Sequence, residues 1–144
     1  MTPLQATELA FEKVRTSWLT TPYELDGERF TPPGVTDTPW VRVVVRDLPP
    51  RSVSHGPPGD RVRRARGQVV AQVFAPPFPD DGSGGALAIA QTFRALFDGK
   101  DILPSGGGEG LTFEDGLIRR VGIDDDTGEY QVNVTCPFDF NDTF

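Results

Sequence analysis

A chain of 144 residues with a formal net charge of −7 predicts one domain, 1–144, with enough buried surface for a core that needs no staples. The single cysteine, Cys136, excludes an internal disulfide, and the acidity argues against broad, sequence-independent wrapping of nucleic acid. Fourteen prolines and 16 glycines beside an ordinary 24% of charged residues predict long ordered loops rather than disorder.

The first element in chain order is an amphipathic helix over 4–19, with Thr7, Phe11, Val14 and Trp18 on one face and Glu8, Glu12 and Arg15 elsewhere. Its start has no basic region and no continuous apolar run, so no export signal is expected, and no stretch has the apolar length of a membrane span. Without export, the glycosylation sequons at Asn133 and Asn141 read as chance. Pro22 ends the helix, and an irregular connection over 20–38 follows. Residues 40–47 alternate Val41, Val43 and Val45 against Trp40, Arg42, Val44 and Arg46, which predicts a strand. The proline-rich stretch 48–60 reads as a second long loop.

The next strand starts within 61–66 and runs to Ala75. One face carries Ala65, Gly67, Val69, Ala71 and Val73. The other carries Arg64, Arg66, Gln68, Val70, Gln72 and Phe74. A second helix is predicted over 86–97, with Ser83 as a candidate cap and Gly99 as its stop. A third long loop spans 98–110. It is followed by a short strand, a turn at Asp115–Gly116, a further strand, an acidic turn at 124–128 and a last strand that Pro137 ends. The expected fold is α+β: two helices packed on a mostly antiparallel sheet of four to five strands, in the order α-β-β-α-β-β.

Chemistry is sparse. The only histidine, His55, lies in a turn-prone loop, and Cys136 sits at an apolar strand position, so both read as structural and no catalytic residue is assigned. The run 124–129 lacks the ligand spacing of a calcium loop, and neither glycine-rich stretch carries the Gly-Lys-Ser/Thr of a phosphate cradle. No metal and no cofactor is expected.

What stands out is "RVRRAR", residues 61–66. It holds four of the 12 arginines, and outside it the balance is 10 basic to 21 acidic residues. Arginine suits planar contacts with carboxylate or phosphate. Arg61, Arg63, Arg64 and Arg66 are therefore candidate interface residues, with the acidic turn Asp124, Asp125 and Asp126 as the matching patch on a neighbour. Replacing Arg63, Arg64 and Arg66 by serine is expected to leave thermal stability almost unchanged, because exposed ion pairs contribute little, and to impair docking.

The order of these features has a parallel. An N-terminal helix and "FTPPGVTDTPWVRVVV" precede the arginine-rich entry into "GQVVAQVFAP". A Gly-rich turn, the helix "ALAIAQTFRALF" and the late strand "EYQVNVTCPF" follow. Over residues 4 to 138 this resembles the tail terminator, or tail completion, proteins of long-tailed bacteriophages and prophages. The resemblance implies a virion protein that forms a homohexameric ring on the head-proximal end of the tail. The ring stops tube polymerisation and offers a surface to the head. Implied partners are the major tail tube protein and the head–tail connector or head-completion protein, with non-specific contact to DNA in the lumen and no membrane. Assembly in the host cytoplasm is implied. The alternatives are a head–tail connector or head-closure protein, and a small cellular ligand-binding α+β domain.

Overall fold

The computed structural model describes residues 1–28, 38–53, 56–76, 82–123 and 128–143. His55 and the acidic turn Asp124, Asp125 and Asp126 lie outside the described residues.

Helix α1 spans Pro3–Ser17. The Thr2 hydroxyl accepts from the Gln5 N–H at 3.2 Å while the Gln5 side chain accepts from the Thr2 N–H at 2.9 Å, a reciprocal cap that fixes the first turn. Its inner face is Ala6, Ala10, Phe11 and Val14, with Trp18 at the C-cap. Strands β1 (Tyr23–Leu25), β2 (Trp40–Val53) and β3 (Val62–Ala75) precede helix α2 (Gly82–Phe97). Strands β4 (Asp101–Ile102), β5 (Leu111–Phe113), β6 (Leu117–Ile123) and β7 (Tyr130–Thr143) follow.

The seven strands form one sheet in the order β1-β2-β3-β7-β5-β4, with β6 lying beside β5 along the outer edge of β7. The β1–β2 pair is parallel and every other pair is antiparallel. This corrects the expected α-β-β-α-β-β order and its four- to five-stranded α+β sandwich: the fold is mostly sheet, a mixed, curled half-barrel with two helices. The cause is local. β1 and β4, the two strands beyond the expected five, are three and two residues long and sit beside stretches punctuated by Pro and Gly, too short for an alternation to register.

Two proline boundaries also move. β2 continues through Pro49 and Pro50 to Val53 because its pairing with β3 shifts register between Leu48 and Ser52, and an irregular edge tolerates missing donors. β7 continues through Pro137 to Thr143. The Pro137 carbonyl accepts from the Glu114 N–H at 2.9 Å, on the side away from β3. In a strand the nitrogen and carbonyl of one residue project to the same side. The absent N–H of Pro137 therefore points into the gap between β5 and β6, where the ladder needs no donor.

Both helices pack on one face of the sheet. The core joins Ala6, Ala10, Phe11 and Val14 of α1 and Ala86, Ala90, Phe93 and Phe97 of α2 to Val41, Val43, Val69, Ala71, Val73, Val132, Val134, Cys136, Phe138 and Phe140. Aromatic rings run through it in a chain, Trp18 to Phe93, Phe97, Phe113, Phe138 and Phe140, with centroids 4.7 to 6.1 Å apart. Gly67 is paired with Phe138, and a Cβ there would lie 2.6 Å from the Phe138 Cζ, so glycine lets the ring lie against the strand. Gly122, at φ 113°, takes the register shift of β6 against β7.

Candidate interaction surface

The alternation of β3 divides the arginine block. Odd-numbered residues share the core side and even-numbered ones the opposite side. Arg63 sits on the core side beyond the last apolar layer. Its Nε and Nη2 donate to Asp142 Oδ2 at 2.9 and 2.7 Å, and the Asp142 side chain is only 5% exposed. Arg64, on the opposite side, donates to Asn141 Oδ1 at 2.9 Å and pairs with Asp139. Arg61 donates from Nε to the Gly56 carbonyl at 2.7 Å. Arg66 makes no ion pair with a described residue. Two of the four arginines thus already have carboxylate partners in their own chain, on β7 in antiparallel register.

Asp139 and Asp142 fall outside the sequence-based expectation because a strand ended by Pro137 excludes them. The signal was present: Phe138 and Phe140 continue the alternation of Val132, Val134 and Cys136, and they place Asp139 opposite the arginines.

The side of the sheet away from the helices is laid out by strand register. One rung is Arg42, Gln72, Asn133 and Arg119, from β2 across β3 and β7 to β6. The next is Val44, Val70, Thr135 and Leu117, in which Leu117 is 66% exposed, Val44 half-buried and Val70 buried. Arg46, Gln68 and Pro137 follow, then Leu48, Arg66, Asp139 and Thr112. Among the described residues, no element packs over these rungs, and Arg46, Arg66 and Arg119 have no ion-pair partner. Five arginines (42, 46, 64, 66 and 119) stand here against the carboxylates of Glu24, Asp101, Glu129 and Asp139, a net +1. The rest of a chain of net −7 therefore carries −8.

One end of this face is tightly built. Trp40 and Phe74 stack with centroids 4.5 Å apart, and the Arg42 guanidinium lies 5.3 and 5.8 Å from the two rings. Arg42 Nε also faces Glu24 Oε2 at 3.4 Å, and Trp40 Nε1 donates to the buried Glu129 at 3.0 Å. Arg42 is thereby held as part of the fold, which leaves the three unpaired arginines as the available cations.

A broad groove of about 1120 Å³ lies on the other side of the molecule, between α1 and the segment after β4. Leu9, Ile102 and Leu103 supply its apolar lining, and Glu8, Glu12, Glu109, Lys13 and Arg15 its charges. Cys136 is fully buried, and burial, with a smaller push from Asp98, raises its thiol to about 12, so it stays protonated at neutral pH and is not a nucleophile. Among the described residues, no three His, Cys, Asp or Glu side chains cluster to hold a metal, and no helix is long and apolar enough to cross a membrane.

No protein-family model and no curated protein matches the chain. Among solved structures, one protein whose name states no function covers 97% of this chain and 96% of its own length, at 21% identity and a TM-score of 0.64. That likeness shows the fold alone.

Proposed function

We propose that this chain is a structural virion subunit, a tail terminator. As a ring it caps the head-proximal end of a phage tail tube, stops the tube growing and offers a surface for head attachment. The observation that carries the reading is the uncovered face of the sheet. A mostly apolar rung flanked by unpaired arginines, on a molecule otherwise strongly acidic, has the make-up of a protein docking surface. The order of the sequence motifs along residues 4 to 138 supports the same reading through its resemblance to tail terminators.

A tail tube of stacked rings can always accept another ring, so something must occupy its growing end. A terminator does so with one face that matches the tube and another that the tube subunit cannot use. The partners are further copies of this chain, the major tail tube protein and the head–tail connector. Arg46, Arg66 and Arg119 are the cations nearest to hand for lumen DNA. Phage lacking this protein is expected to make full heads and tails that do not join, many tails being overlong. Adding the purified protein to tails of correct length restores joining. Normal, complete virions in its absence contradict the proposal, and tails of normal length that take up the protein only through heads favour a connector.

A further inference from the structure

We propose that copies of this chain join edge to edge, strand β6 of one copy pairing antiparallel with strand β1 of the next, so that the sheet continues from subunit to subunit. The inference rests on the ring reading and names the seam between neighbours.

Both strands are open edges. Among the described residues, β1 pairs only with β2 and β6 only with β7, at opposite ends of the sheet. An open edge is a template for another strand. β6 runs seven residues, and its Leu117, Val121 and Ile123 are 66%, 55% and 59% exposed. Charge selects the partner. Pairing β6 with a second β6 about Arg119 or Arg120 sets like charge opposite like charge. The β1 edge has the opposite sign, with Glu24 in the strand and Asp26 and Glu28 just after it.

Direction and register agree. β1 runs with β2, and the antiparallel steps from β2 to β3, β7 and β6 leave β6 running against it. A copy placed to extend the sheet therefore brings the two edges together antiparallel. The rungs set Tyr23 level with Arg120, Glu24 with Arg119 and Leu25 with Ile118, so a neighbour not displaced along the strands faces these same residues.

The backbone groups fit that register. The Pro22 carbonyl accepts from the Val41 N–H and the Asp26 N–H donates to the Val43 carbonyl, so Tyr23 and Leu25 turn their backbone groups to the open edge. On β7, Pro137 faces β5, and with it Thr135 and Asn133 face β6. Their partners Leu117 and Arg119 bond β7, which leaves Ile118 and Arg120 facing outward. The outward residues are thus the ones set level. Of the four bonds that two such pairs make, the Leu25 carbonyl is already taken by the Glu28 N–H, and three remain.

The side chains fit it too. Away from the helices Glu24 meets Arg119. Arg42 reaches only Glu24 Oε2, at 3.4 Å, and Oε1 accepts no hydrogen bond among the described residues. On the core side Leu25 meets Ile118 and continues the apolar layer. The two edges belong to opposite ends of one sheet, so the contact is heterologous and repeats into a ring or an open filament.

The test is disulfide trapping. Glu24 and Arg119 would form a non-hydrogen-bonded antiparallel pair, with Cα atoms about 4.5 Å apart, a span that a disulfide bridges. The native Cys136 is buried and does not compete. The full chain as E24C, R119C and E24C/R119C is oxidised in concentrated solution and on tails, then run on non-reducing gels. E24C/R119C is expected to give a ladder of multimers, the two single variants mixed a dimer only, and each alone a monomer. Thermal melts check folding. R119E, at an exposed position, is a second variant, expected to self-associate at least tenfold more weakly than wild type by native mass spectrometry.

A double-cysteine variant that assembles without cross-linking, or an R119E that assembles like wild type, overturns the seam and leaves the ring intact. R119C that cross-links alone overturns it in favour of a two-fold β6 contact. A wild-type chain that never self-associates, in solution or on tails, overturns both seam and ring.

Discussion

Replacing Phe138 by alanine lowers the unfolding free energy by about 3–5 kcal/mol, the cost of removing a buried aromatic ring that its surroundings cannot refill. Phe138 is 2% exposed and sits between Phe113 and Phe140, with ring centroids 5.2 and 6.1 Å away. Its ring also lies against Gly67, where an added Cβ would stand 2.6 Å from the Phe138 Cζ. The residue joins the last half of β7 to the core, so its loss also frees the strand that carries Asp139 and Asp142. Urea denaturation measures the effect. A loss below about 1 kcal/mol shows that the segment after Pro137 is not packed as described.

The second large effect divides the arginine block. Arg63→Ser strands the Asp142 carboxylate, buried and without its guanidinium, and is expected to cost about 2–3 kcal/mol. Arg66→Ser leaves no buried partner behind and is expected to stay within about 0.5 kcal/mol of wild type. Pairing Arg63→Ser with Asp142→Asn recovers part of the loss, since the stranded charge goes too. Chemical denaturation of the four proteins decides it. Equal, near-zero effects at both arginines contradict the ion pair. Against the sequence-based expectation that Arg63, Arg64 and Arg66 all turn to serine with little loss, the ion pair predicts little loss for Arg66 and a large one for Arg63. Arg64, tied to Asp139 and Asn141 but partly exposed, lies between.

How far the sequence could be read follows from the length of each signal. Both helices and the faces of β2 and β3 were legible, because Phe11, Val14 and Trp18, or Val69, Ala71 and Val73, repeat over several turns or pleats. β1 and β4 were not, because three and two residues cannot display a period and their pairing depends on long-range neighbours. Pro137 misled because proline is read as a stop. What decides is whether the missing donor faces a partner, and only the gap between β5 and β6 shows that it does not. Of the surface, Arg64 and Arg66 were singled out from charge alone. Leu117 and Arg119 were not, since "LIRRVGI" has no clear alternation and its place beside Thr135 and Asn133 comes from register. The division of labour between Arg63 and Arg66 was invisible for the same reason: it depends on which side of β3 each residue faces and on what β7 sets opposite.

The claim that this chain ends a tail tube is tested most directly by finding where it sits and in how many copies. Purified virions carrying a gold-labelled version of the protein, viewed by electron microscopy, should show label at one point only, the head-proximal end of the tail. Quantitative mass spectrometry of the same particles should find about one ring's worth of copies per virion. Label spread along the tube, label on tailless heads, or no protein in the finished particle contradicts the account.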